Sequence, residues 1–390
     1  MPIAERMVGM VEGSSMIRKM FEEGARLKAK HGADKVFDFS LGNPDVPPPG
    51  EFKQALIDVI EDPSTSHGYM PNQGYPHVRQ AVSEFIKAEY GAAIPPEMIV
   101  MTVGAAGALN DSLTALINPG EEVLVPSPYF VGYNQYAFQA QAVIKTAETD
   151  AEFRPDFEAL ETAVTDKTRA VLINSPNNPT GVVYTAEELK RLGDLLERAG
   201  RKFGRRIYLI SDEPYRKIAY DVDVPSVFQA YPHSILVTSY SKELSLAGER
   251  IGYLAVNPEA EDADSVVAAA AVSNTMLYVN APSLFQLAIA RVMGLTVDVS
   301  IYRRRRDALC DGLRKAGYDF VKPEGAFYLF PKTPIADDVE FCRYLMDELI
   351  LAVPGSAFGR GGYFRISYAV PDRAISGAME GFKRAMDRAS

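Results

Sequence analysis

Cysteine is scarce. Only Cys310 and Cys342 occur in 390 residues, which excludes a disulfide framework and a cysteine-built metal cluster. Each lies in an apolar-periodic segment, so a buried, unreactive thiol is the expectation. Histidine is equally sparse, and His31, His67, His77 and His233 show no metal-ligand spacing; no metal site is expected. No apolar run approaches the roughly 20 residues that span a bilayer. The stretch from Met1 to Arg6 has no charged segment leading into an apolar core, so no secretory signal is read there. Positive charge is in deficit as well: 41 Lys and Arg stand against 51 Asp and Glu, a formal net charge of −10. A nucleic-acid backbone would demand a basic surface, so nucleic acid is not the expected partner, and neither is a membrane. A small anionic ligand stays open, because a few clustered cations can hold one inside an acidic protein. A cytoplasmic enzyme fits these limits.

What is present is ordinary for a globular chain, with 47% apolar and 24% charged residues. The length suggests two domains. Short apolar runs end abruptly in polar or Gly/Pro clusters: Met98 to Val103 before Gly104-Ala105-Ala106, Glu122 to Val125 before Pro126, and Ala170 to Ile173 before Asn174. Ile207 to Ile210 and Ile235 to Thr238 do the same before Ser211 and Ser239. Runs apolar on both faces predict strands of a covered, mostly parallel sheet. Helical patterns lie between them. The clearest, Thr185 to Phe203, has Thr185 as N-cap, Glu188 as its capping-box partner, and leucines at helical spacing. Strands alternating with helices predict an α/β domain. Ligands of such sheets bind beyond the carboxyl ends of the strands, which would gather Gly104, Asn178, Asp212, Ser239 and Lys242 at one edge.

After about residue 290 the texture changes to one long helical pattern, Arg291 to Ala316, and then shorter mixed pieces. The expected division is a large domain over 49–290 and a smaller α+β domain formed by 1–48 with 291–390. Arg303 to Arg306 fan around a helix and read as a solvated surface.

Lys242 follows a buried strand, where a long cationic side chain is costly unless it snorkels to solvent or serves as an amine of depressed pKa that forms imines. The neighbouring strand ends decide between the two. Asn178-Pro179-Thr180-Gly181, Asp212-Glu213-Pro214-Tyr215, Ser239-Tyr240-Ser241-Lys242, Gly248-Glu249-Arg250-Ile251-Gly252 and Phe364-Arg365-Ile366-Ser367 together resemble, in order and spacing, the class I/II aminotransferases of pyridoxal-phosphate fold type I. The similarity runs from about Ser40 to Tyr368.

The resemblance implies a large domain with a mostly parallel seven-stranded sheet between helices, a smaller α+β domain, and pyridoxal 5′-phosphate (PLP) as cofactor. It implies that Lys242 carries the cofactor as a Schiff base and shuttles the substrate Cα proton. Asp212 would pair with the pyridine nitrogen and keep it protonated, so that the ring absorbs electrons. Tyr215 and Asn178 would hydrogen-bond the ring's phenolic oxygen, and Tyr129 would stack on the ring. The phosphate would lie at the helix start Gly104-Ala105-Ala106, with Ser239 and Arg250. Tyr69 would reach it from the neighbouring subunit of a homodimer. Arg365 would clamp the substrate α-carboxylate in bidentate fashion. Gly42 would lie against the substrate, and Phe327 would line the side-chain pocket.

The implied reaction moves an amino group from an L-amino acid to a 2-oxo acid by a ping-pong route. Aspartate-specific relatives hold the distal carboxylate with a lysine where this chain has Ala106, or with an arginine near Ser273 to Phe285, a stretch without Lys or Arg. A buried carboxylate without a cation is unfavourable, so neutral donors are expected, with Arg18 as the one residue that would supply the missing charge. Two other readings share the motifs: a PLP-dependent lyase or decarboxylase, and a non-catalytic PLP-sensing protein.

Overall fold

The computed structural model describes residues 3–12 and 16–389. Its strands are β1 (Phe37–Asp38), β2 (Ile99–Thr102), β3 (Glu122–Ser127), β4 (Val143–Glu148), β5 (Thr168–Asn174) and β6 (Tyr208–Asp212). They continue with β7 (Ser234–Ser239), β8 (Gly252–Val256), β9 (Tyr328–Leu329), β10 (Ile350–Leu351), β11 (Val353–Pro354) and β12 (Phe364–Ser367). Seven form the main sheet in the order β2-β8-β7-β6-β5-β3-β4, and β8 runs antiparallel to both its neighbours while the rest are parallel. Every residue of β2, β3, β6, β7 and β8 is buried, as apolar runs covered on both faces should be. The edge strand β4 is mostly exposed, and its Lys145 and Glu148 kept it from reading as a strand.

The helix Ala186–Phe203 has the expected capping box: Thr185 accepts from the Glu188 N–H while the Glu188 carboxylate accepts from the Thr185 N–H. Gly204, at φ +65°, ends it in the left-handed conformation. The long helical pattern past residue 290 divides. Ser283–Arg291 ends first, and Val299–Lys315 starts afresh with Asp298 accepting from the Ser300 N–H as its cap. On that second helix the arginine run is not a solvated patch. Arg303 and Arg304 face water, but Arg305 pairs with Asp45 and Asp372 at 2.7 Å, and Arg306, 4% exposed, lies 4.6 Å over the Tyr220 ring. Four successive residues cover all sides of a helix, and this helix is covered on one.

Two apolar clusters account for most of the interior. One surrounds the main sheet, from Phe52 to Val292, and also takes in Phe330, Val353 and Phe358. The other packs Val299–Lys315 and the C-terminal helix Asp372–Ala389 against the three-stranded antiparallel sheet β11-β12-β9. The chain from Phe37 to Phe39 joins this second cluster through β1, parallel to β10. Both cysteines are buried, and burial pushes the Cys310 thiol up to about 11. Among the described residues no helix is long and apolar enough to cross a membrane, and no group of side chains is arranged to hold a metal ion.

Candidate active site

Sheet direction explains the site. β2, β5, β6 and β7 run the same way, so Thr102, Asn174, Asp212 and Ser239 end at one edge. Because β8 is reversed, its entrance at Gly252 lies at that edge too, and this carries Arg250 to the same place. Beyond the edge is a cavity of about 280 Å³ whose wall includes Gly42, Ala105, Ala106, Asn178, Asp212, Tyr215, Ser239, Lys242, Arg250 and Arg365. Ten expected residues, separated by up to 323 positions in the chain, therefore share one wall.

Lys242 lies in the short helix Tyr240–Glu243 directly after β7, and its Nζ donates to the Gly42 carbonyl at 2.8 Å. Burial pulls the amine down to about 8, with repulsion from Arg365 and Arg250 adding to it. Asp212, at the end of β6, is 5% exposed. Burial pushes its carboxyl up to about 7, against the hydrogen bond that its Oδ2 accepts from the Tyr133 hydroxyl at 2.7 Å. Its Oδ1 is buried and has no partner. Asn174 braces this strand end: its Nδ2 donates to the Asp212 carbonyl and its Oδ1 accepts from the Asn178 N–H, both at 2.7 Å.

Arg365, in β12, is buried to 2% exposure. It donates to Asn178 Oδ1 at 3.1 Å and to the Ser40 carbonyl at 2.6 Å, while its Nε is unpartnered. Burial pulls its pKa below the ordinary value. The Tyr215 and Tyr328 hydroxyls meet at 3.0 Å.

An anion cradle occupies the opposite side. The helix Gly104–Leu116 starts at the cavity with no side-chain cap, so its first N–H groups and dipole are available to a negative group. Gly104 has φ +74°, and a Cβ there would press on Arg250 Nη2 at 2.9 Å. Arg250 is exposed and spends its donors on the Ala247 carbonyl at 2.9 Å and weakly on that of Val103 at 3.4 Å. Gly104 itself is behind the wall that Ala105 and Ala106 form.

Besides Gly104, three expected residues are not in the wall. Tyr129 is not in the wall, its hydroxyl donating to Asn134, and Phe130 lines the cavity in its place. Phe327 is fully buried, 5.4 Å from the Tyr215 ring, and Tyr328 faces the cavity instead. Tyr69 is 95% exposed and lines a separate surface hollow with Tyr278, Val279 and Asn280. The Arg18 side chain lies outside the described residues. Sequence reasoning missed Tyr328, Phe130, Tyr136, Asn174 and Ser241, all in the wall, and Tyr133 behind it. Asn174 closes an apolar run as Asp212 does, a signal that was there to be read; the tyrosines carried none.

The donor set fits PLP on this geometry: an unpartnered carboxylate oxygen, an amine of lowered pKa, and an uncapped helix start beside an arginine. Comparison with known proteins agrees. The model of the family described as aminotransferase class I and II matches residues 34–382. An aspartate aminotransferase from Thermotoga maritima is 34% identical over 372 residues, covering 93% of this chain and 95% of that one. An aspartate/prephenate aminotransferase from Thermus thermophilus is 34% identical, covering 92% and 93%. A crystal structure of an amino transferase from Eubacterium rectale superposes with a TM-score of 0.97 at 39% identity, covering all of both chains. Thermus thermophilus aspartate aminotransferase with maleate superposes at 0.88 and 30% identity, covering 99% and 100%. The chain belongs to the class I and II aminotransferases, and is a PLP-dependent enzyme of that family.

Proposed function

We propose that this enzyme transfers an amino group from an L-amino acid to a 2-oxo acid in two half-reactions of a ping-pong cycle, with Lys242 as the covalent anchor and proton carrier. One observation carries the reading: a single cavity wall holds the Lys242 amine, the free Oδ1 of Asp212 and the guanidinium of Arg365. Bound there, PLP supplies an electron-withdrawing ring that acidifies the Cα–H of an attached amino acid. Asp212 Oδ1 would accept from the ring nitrogen. Tyr215 and Asn178 would serve the ring oxygen, and Phe130 rather than Tyr129 would cover the ring. Ala105, Ala106, Ser239 and Arg250 would hold the phosphate, with Gly104 allowing the close approach. Lys242 Nζ, pulled down to about 8 in the cofactor-free site, would attack in its neutral form, and the same nitrogen would accept and return the Cα proton. Arg365 binds the α-carboxylate, a role its buried, half-satisfied guanidinium suits.

Neutral amino acids are the preferred donors. Among the described residues the cations of the wall are Lys242, Arg250 and Arg365, each already assigned, and Leu41, Ala105, Ala106, Leu109 and Phe130 make much of the rest apolar. A distal carboxylate would lack a partner among these residues. The second reading, an acidic donor, is favoured by relatives named aspartate and aspartate/prephenate aminotransferases. Comparing kcat/KM for alanine, leucine and aspartate with one oxo acid decides between them, and a clear lead for aspartate abandons the neutral preference. Initial rates at several fixed acceptor concentrations test the cycle: parallel double-reciprocal lines support ping-pong, intersecting ones oppose it.

The division into a large domain, 49–290, and a smaller one, 1–48 with 291–390, is supported by the two apolar clusters. A cytoplasmic homodimer completes the reading. The dimer's support is the 95% exposure of Tyr69, which shares a surface hollow with Tyr278 and Val279, 38% and 46% exposed. Apolar side chains grouped at one surface seek a partner, and a second copy would bring Tyr69 to its neighbour's phosphate site.

A further inference from the structure

Tyr328 has no part in the roles assigned above, yet it touches two groups that do, Tyr215 and Arg365, and Gly42, the neighbour of a third, Lys242. Its hydroxyl oxygen is 3.0 Å from that of Tyr215. Its ring centroid is 4.7 Å from the Arg365 guanidinium carbon, which lies 4.7 Å from the Phe358 ring as well. It also fills the space over Gly42: a Cβ at that position would stand 1.8 Å from the Tyr328 hydroxyl oxygen. Gly42 in turn supplies the carbonyl that holds Lys242 Nζ. Tyr328 is 2% exposed, so none of these contacts is a surface accident.

The hydrogen-bond inventory gives the contact with Tyr215 a direction. A phenol has one proton to donate. If Tyr215 spends its proton on the ring oxygen of the cofactor, the 3.0 Å bond survives only with Tyr328 as its donor. Hydrogen bonds in such a chain strengthen one another, so Tyr215 becomes the better donor. The ring contact acts separately. Stacking on aromatic faces restrains a guanidinium without using its N–H groups, which leaves them for a carboxylate.

We propose that Tyr328 is a positioning residue for two others: its hydroxyl commits the Tyr215 proton to the cofactor, and its ring seats Arg365 for the substrate carboxylate. The proposal rests on the roles given above to Tyr215 and Arg365. The two functions separate by variant. Tyr328→Phe keeps the ring and loses the donor. A weaker bond to the ring oxygen stabilises its anionic form less, so the pH midpoint of the cofactor's visible band rises. That rise is smaller than the one in Tyr215→Phe, and KM for the donor is unchanged. Tyr328→Leu shows the same rise together with an increase in KM of about tenfold, the scale of a lost desolvated cation–π contact.

The experiment is a pH titration of the visible band of the loaded enzyme, with KM and kcat, for Tyr328→Phe, Tyr328→Leu, Tyr215→Phe and Arg365→Lys. Thermal melts of the cofactor-free proteins establish that each folds, and Tyr328→Met replaces the leucine variant if that one does not. A midpoint that moves in Tyr215→Phe but not in Tyr328→Phe overturns the hydroxyl role. A KM that rises in Arg365→Lys but not in Tyr328→Leu overturns the ring role. If neither Tyr215→Phe nor Arg365→Lys has an effect, the underlying assignments are wrong and the proposal goes with them.

Discussion

Lys242 and Asp212 show how burial prepares two groups in opposite senses, one amine made easier to deprotonate and one carboxyl made harder. The amine attacks only when neutral. With its pKa near 8, covalent uptake of PLP by the cofactor-free protein should accelerate as pH rises through 8 and then level off. Stopped-flow absorbance measures this, and a rate that climbs on toward the ordinary lysine value of 10.5 would mean that burial does not act on Lys242 as described. For Asp212, the charge matters more than the shape. Asp212→Asn keeps a partner for Tyr133 but loses a charge-assisted hydrogen bond of about 1.5–3 kcal/mol, so PLP affinity should fall by about tenfold to a hundredfold. Equilibrium titration of cofactor into the variant reads the loss; an unchanged affinity would remove Asp212 from the ring nitrogen. At this scale the sequence led to the cavity wall where chemistry constrains residue type, as at Lys242, Asp212 and Arg365. Where only orientation matters, the wall holds Phe130 and Tyr328, next in sequence to the expected Tyr129 and Phe327. A run of adjacent aromatics does not reveal which of them faces the cavity.

Among the elements, the helix Ala186–Phe203 was legible to its cap because the capping box is a local device. Thr185→Ala should cost about 1 kcal/mol of stability, seen as a lower denaturant midpoint with an unchanged slope. The helix Val299–Lys315 is the counter-example. Its basic run looked like a solvated face, but Arg305 and Arg306 are buried against acidic and aromatic partners contributed by distant segments. No local pattern shows such partners. The consequence is a contrast within four residues: Arg303→Ala should change stability by less than about 0.5 kcal/mol. Arg306→Ala should cost about 2 kcal/mol through lost packing and unpaired neighbours. Equal effects in chemical denaturation would restore the solvated reading. The edge strand β4 was missed for a related reason, since exposed polar residues mask its period, whereas the strands buried on both faces declared themselves as apolar runs.

Across the whole molecule, four buried carboxyls among the described residues are pushed up by burial: Asp111 to about 7, Asp212 to about 7, Glu243 to about 8, and Glu213 in the same direction. Between their ordinary values near 4 and these raised ones, the folded protein binds protons that the unfolded chain does not. Stability of the cofactor-free protein should therefore fall as pH rises toward 8, and the unfolding midpoint should be higher at pH 6 than at pH 8. Above 8 the lowered Lys242 works in the opposite sense. Asp212→Asn should flatten part of the decline, and a midpoint that rises steadily from pH 6 to pH 8 would contradict this account. The parallel sheet with one reversed strand is what turns these costs to use, because it brings Arg250 and the strand-end groups to one edge.

The central claim is that this cavity holds PLP on Lys242 and exchanges amino groups through it. The direct measurement is the visible spectrum of the loaded protein during addition of single L-amino acids, followed by pyruvate or 2-oxoglutarate. The account predicts a yellow band that a subset of amino acids bleaches and an oxo acid restores, and that Lys242→Ala neither forms nor cycles. A band that forms normally in Lys242→Ala, or one that no amino acid bleaches reversibly, would contradict it.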